Sequence, residues 1–178
     1  QNHAIVRGWA LLQWARYLQA VNPNVPAILN KIAPPLQRGN LQSQRRYWRR
    51  ILSRQPLHCI YSGHLLDPQH FNLDHFLPWS FICHDELWNL IPADPVANRS
   101  KGRNLPAEQL LDHFVEQQYE GLHTYRQLYD ETSWKEMAQS FIDGLSVSEQ
   151  ALIDRKQLLL AYESKMTPLM ALAKNMGY

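Results

Sequence analysis

Cysteine is scarce in this chain. Only Cys59 and Cys83 occur among 178 residues, too few to staple a domain of this size, which implies a reducing compartment, read here as the cytoplasm. No apolar run reaches the length of a bilayer span, and nothing at the start resembles a signal peptide, so no membrane partner is expected. The chain opens at Gln1 without a methionine, as a piece of a longer polypeptide would. Internal repeats and low-complexity tracts are lacking too. Acids are missing from one stretch in particular, residues 38–54, where "RGNLQSQRRYWRRILSR" holds six arginines and no carboxylate.

What is present is an ordinary globular balance. Hydrophobic residues make up 45% and charged ones 19%, which argues against disorder and suits one domain, or a core with a small companion. Net charge is only +2, but residues 107–154 hold ten acids against Arg126 and Lys135. A chain so polarised presents one positive side, which draws a polyanion. The bland reading of the arginine run is a solvated helix face.

Periodicity predicts helices at both ends. Leu11, Trp14, Ala15, Leu18 and Val21 recur at helical spacing, with Trp9 and Leu12 widening the stripe, which predicts a largely buried helix. Asn22-Pro23 should open a second helix through about Ile32, stopped by Pro34-Pro35. Leu41 to Ser53 reads as a third. From Leu57 to Pro106 the periodicity fades, and short extended pieces fit "HCIY", "FNLDH" and "NLIP", with a short helix in "DPVANRSKG". Beyond Pro106, helices return. Ser133 with Glu136 and Ser146 with Glu149 match capping boxes, Gly144 should end a helix, and Pro168 should kink or break the last one. The expectation is an α+β fold, predominantly α, with a small mixed centre between two helical flanks.

The centre carries the chemistry. "NLDHFLPWSFICHDELWNLIPADPVANRSKG" gathers Asp74, His75, Asn89, Asn98, Arg99 and Lys101 within residues 72–102. Phosphodiester cleavage needs a base for water, neutralised charge on the phosphate and stabilisation of the leaving oxygen. A histidine near its ordinary pKa serves the first need, and a divalent cation the others. Mg²⁺ takes oxygen ligands and keeps several waters, so one carboxylate and one amide can suffice. Neighbours on a strand point to opposite faces, so Asp74 and His75 at a strand end could serve different roles.

"LDHFLPWSF…NLIPADPVANRSKG" resembles the HNH endonucleases, whose ββα-metal motif runs strand, loop, strand, helix. The nearest likeness is to the variants ending in Asn, including the nuclease domain of RNA-guided CRISPR effectors. What the resemblance implies is specific. His75 is the general base, Asp74 and Asn98 ligate Mg²⁺ (or Mn²⁺), and Asn89 braces the loop carrying His75 through backbone hydrogen bonds. The chain then divides into a basic helical region at 1–56, the HNH core at 57–106 and a helical region at 107–178, together one unit. Its substrate is DNA, its setting bacterial or phage defence, restriction or CRISPR-like, and a larger polypeptide or complex supplies targeting.

One departure stands out. Many such proteins hold a structural zinc through two Cys-x-x-Cys pairs, whereas "CIYSG" has Ser62 where the second cysteine belongs. Serine is not a competent zinc ligand. No structural zinc is therefore expected; packing that includes Tyr61 and Trp79 replaces it, with a set from His58, Cys59, Cys83 and His84 as the alternative. Arg99, Lys101 and Arg103 follow the metal helix and could contact phosphates, and Arg45, Arg46, Arg49 and Arg50 would extend that track. Trp48 and Tyr47 among them read as buried anchors rather than stacking platforms. Rival readings are a non-catalytic nucleic-acid-binding module with this fold, and a toxin nuclease with an immunity partner. Asp74, His75 and Asn98 weigh against the first, since binding alone needs none of them. A final helix poor in histidine weighs against the second.

Overall fold

A computed structural model describes residues 2–33 and 39–178. The Pro34-Pro35 stop lies outside the described residues. Helix α1 spans Asn2–Val21, but only Ala15 on it is buried. Leu11 and Leu18 are half-covered beside it, while Trp9, Trp14, Tyr17 and Val21 stand more than half exposed. The expected buried helix is thus corrected. Apolar residues lie on all sides of this helix, and among the described elements α2 (Ile28–Ile32) makes the substantial contact with it. That second helix is also shorter than expected. Pro26 disfavours helical backbone at Val25, and Ala27 turns left-handed at φ 51°.

Helix α3, Gln42–Leu52, buries Tyr47, Trp48, Ile51 and Leu52. These join Leu57, Cys59, Leu66, Phe71, Leu73 and Leu90 in one apolar cluster beneath the central segment. The centre holds two antiparallel strands, β1 (Asn72–His75) and β2 (Leu90–Ala93), paired so that Asp74 faces Ile91 and His75 faces Leu90. Between them lie a helical turn, α4 (Trp79–Ile82), and a 3₁₀ turn at Leu87–Asn89. Helix α5, Pro95–Lys101, follows β2; the Asp94 carboxylate accepts from the amides of Val96 and Ala97 and Pro95 fills the first helical position. "HCIY" forms no strand, only an isolated bridge between His58 and Leu65.

The remaining helices are α6 (Leu110–Leu128), α7 (Glu131–Leu145), α8 (Glu149–Leu152) and α9 (Arg155–Asn175). Phe114, Phe141, Trp134, Leu158, Tyr162 and Met166 from these helices bury together with Phe76, Leu77, Phe81 and Ile91 of the centre. Both flanks therefore share a core with the strands. Four local expectations are corrected. Asp130, not Ser133, caps α7, accepting from the Ser133 amide at 2.8 Å. Ser148 rather than Ser146 caps α8, Ser146 being the left-handed end of α7. Gly144 does not end α7 but lies inside it, and the Trp88 indole packs against it where a Cβ would collide. Nor does Pro168 break α9: it lies on the exposed face, while Met166 and Met170 hold the opposite face in the core. No helix among the described residues is long and apolar enough to cross a membrane.

Candidate active site

The end of β1 sets the site. Asp74 is buried, His75 is half-buried, and both line a cleft of about 460 Å³ with Pro78, Trp79, Ser80, Asn98 and Arg103. Asn98 reaches it from α5, whose position is set by the Asp94 cap just after β2. The Asn98 side chain makes no hydrogen bond among the described residues, which leaves its amide oxygen for a ligand. Asn89, fully buried, closes the loop that follows His75. Its side chain accepts from the Leu77 amide at 2.9 Å and donates to the Leu77 carbonyl at 3.0 Å. Its own carbonyl accepts from the Phe76 amide at 2.9 Å.

Lys101 departs from the expected outward phosphate contact. Its ammonium turns inward to Asp74, 3.1 Å from Oδ2, and donates to the His75 carbonyl at 2.9 Å. The Tyr61 hydroxyl donates to the same Asp74 carboxylate at 2.6 Å. Tyr61, expected as a packing residue, thus also holds the acid through its phenol. Burial pushes the Asp74 carboxyl above its ordinary range, and the Lys101 charge and Tyr61 hydrogen bond pull it back. The Asp74 carboxylate and the Asn98 amide oxygen are the kinds of donor a hard divalent ion takes, and such an ion would share Asp74 with Lys101. No group of three or more His, Cys, Asp or Glu side chains that could hold a metal occurs among the described residues.

His75 has a partner that the motif did not reveal. Its Nε2 lies 2.9 Å from Asp85 Oδ1. Burial lowers the imidazole pKa, against the opposing pull of Asp85. The only trace of Asp85 in the sequence is an acid in the loop between His75 and Asn89. Nearby, burial lowers His84 to about 4.

Cys59 engages the start of α5. Its buried sulfur accepts from the Asp94 amide at 3.3 Å, while its backbone closes a turn with Gly63 and His64. Among the arginines, Arg103 borders the active cleft and Arg99 is exposed on α5. Arg46, Arg49 and Arg50 are exposed on α3; Arg46 and Arg50 line another cleft, with Tyr125 and Glu136. Arg45 differs from them. Its guanidinium donates to the Phe71 carbonyl at 2.7 Å and lies over the Phe71 ring, a structural contact beside β1.

Two antiparallel strands, a helix behind them, and an acid, a histidine and an asparagine opening on one cleft form a ββα arrangement. Residues 59–107 match the family model of HNH endonucleases. No curated protein and no solved structure matches the chain.

Proposed function

We propose that this chain is a metal-dependent endonuclease that hydrolyses DNA phosphodiester bonds. The observation that carries the reading is the convergence of Asp74, His75 and Asn98 on one cleft within the HNH segment. Asp74 and Asn98 would hold Mg²⁺ or Mn²⁺. When bound, such an ion neutralises charge on the phosphate and stabilises the departing oxygen. His75, neutral at physiological pH, takes the proton of the attacking water as its oxygen bonds to phosphorus and the bond to the leaving oxygen breaks. Asn89 keeps the loop behind His75 from shifting. Arg99 and Arg103 would meet flanking phosphates, with Arg46, Arg49 and Arg50 adding sequence-independent attraction.

The biological setting in this proposal is a bacterial or phage defence system, restriction or CRISPR-like, in which another polypeptide selects the target. A ββα centre grips the backbone near one phosphate and has few groups free to read base edges. The apolar residues that α1 turns outward, among them Ile5, Trp9 and Trp14, support such a partner, since large exposed apolar surface is usually covered in a functional assembly.

The test is a supercoiled-plasmid assay with Mg²⁺, Mn²⁺ or EDTA, run beside His75→Ala. Nicking or linearisation that needs the ion and His75 is expected. Equal cleavage by wild type and a clean His75→Ala preparation would overturn the assignment.

A further inference from the structure

We infer that Asp85 is a positioning residue for His75, and that the helical flanks act on the active site by holding the loop that carries Asp85. The inference rests on the nuclease reading for its kinetic consequence, but its geometric content stands apart.

A histidine that serves as a base must carry its lone pair on the nitrogen facing the reacting water. Neutral imidazole holds one proton, and the partner of one ring nitrogen decides where that proton sits. Here Nε2 is 2.9 Å from a carboxylate oxygen of Asp85. An ionised carboxylate only accepts, so the proton belongs on Nε2 and the lone pair on Nδ1. Asp74 is not this acceptor: its carboxylate bonds Tyr61 and Lys101, and no hydrogen bond joins it to His75 among the described residues. With Nε2 committed, Nδ1 is the nitrogen left for water in the cleft that His75 lines.

Asp85 sits in the irregular stretch between α4 and the 3₁₀ turn, a place where a carboxylate would ordinarily wander. Three side chains from outside the HNH segment tie this stretch down. Asn30 of α2 donates to the Cys83 carbonyl at 3.2 Å, and Gln44 of α3 donates to the Asp85 carbonyl at 2.9 Å. Ser140 of α7 donates to the Glu86 carboxylate at 2.7 Å. Cys83 itself turns left-handed at φ 58°, which reverses the chain out of α4. The flanks carry no recognisable nuclease motif, yet each reaches this loop. Their contribution to the reaction is to fix the acid that orients the base.

The test uses the whole chain with ¹⁵N-labelled histidine. Long-range ¹H–¹⁵N spectra, with His75 assigned by comparison with His75→Gln, should show the Nε2–H tautomer in wild type. Asp85→Ala should lose that preference while backbone spectra stay dispersed, and Asp85→Asn, which keeps an acceptor oxygen, should retain it. In the plasmid assay Asp85→Ala should lower kcat by about 10-fold or more, short of the about 10²–10⁴-fold attached to the base itself. KM for DNA should not move, and Asp85→Asn should recover part of the rate. Gln44→Ala should fall between wild type and Asp85→Ala in both readouts. An Nδ1–H tautomer in wild type, an unchanged tautomer in Asp85→Ala, or full kcat in that variant would overturn the inference. If no variant cuts DNA, the nuclease reading fails alone, and the tautomer spectra still decide the role of Asp85.

Discussion

Lys101 places its ammonium 3.1 Å from Asp74, with both side chains almost wholly withdrawn from solvent. A divalent ion on Asp74 would meet a cation already there. Removing one member of a buried pair strands the other charge, at about 3–5 kcal/mol. Lys101→Met should therefore lower stability by that order in EDTA, and Mn²⁺ should restore more of it than it adds to wild type. Urea denaturation with and without Mn²⁺ measures this. A variant as stable as wild type in EDTA would mean the pair contributes little.

His75→Ala should fold normally and lose about 10²–10⁴-fold of the cleavage rate. The pH profile carries a sign. Burial lowers the His75 pKa below its ordinary 6.5, so the neutral base survives into mildly acidic solution. The acid limb of the rate should fall below pH 6.5 rather than above it. A midpoint above 6.5 would show that Asp85 outweighs burial.

Asn89→Ala should behave differently from His75→Ala. It leaves the buried amide and carbonyl of Leu77 without partners, each costing about 1–3 kcal/mol. Stability and activity should fall together. Loss of activity with an unchanged melting temperature would mean that Asn89 acts on the chemistry rather than on the loop.

The basic face of α3 should separate into two kinds of arginine. Replacing Arg46, Arg49 and Arg50 with alanine should reduce the slope of log K against log salt by about 0.9 for each phosphate no longer neutralised. Arg45→Ala should instead cost stability, because its guanidinium caps the Phe71 carbonyl. An unchanged slope in the triple variant would leave those three as a solvated helix face.

His84 should make the fold sensitive to acid. Its folded pKa, lowered to about 4 by burial, lies below the unfolded 6.5. Between these values the unfolded chain binds a proton that the folded chain refuses, so stability drops as pH falls from 6.5 towards 4. His75 pushes the same way. His84→Phe, which keeps the ring packing on Trp88, should flatten the decline in urea midpoint across this window. An undiminished decline would remove His84 from the account.

Local chemistry was legible without coordinates. Local composition marked "FNLDH" and "NLIP" as extended and Asp94-Pro95 as the start of α5, and the resemblance to HNH endonucleases implied their order of strand, loop, strand and helix. The burial of Tyr47, Trp48 and Ile51 on α3 follows from helical periodicity in the same way. What tertiary structure alone decided depends on groups distant in the chain. Lys101 turns inward because Asp74, 27 residues earlier, offers a buried charge. Gly144 has no room for a side chain because Trp88 packs against it, and Pro168 is tolerated on the exposed face opposite Met166 and Met170, which the core buries. Helix α1 has the apolar periphery of a buried helix, and no short-range rule could say that its outer faces would find no cover within the described residues. Asp85 meets His75 in a loop that side chains of α2, α3 and α7 hold. A sequence states which side chains a segment can present, whereas the free energy of burying and pairing them depends on partners that folding brings near.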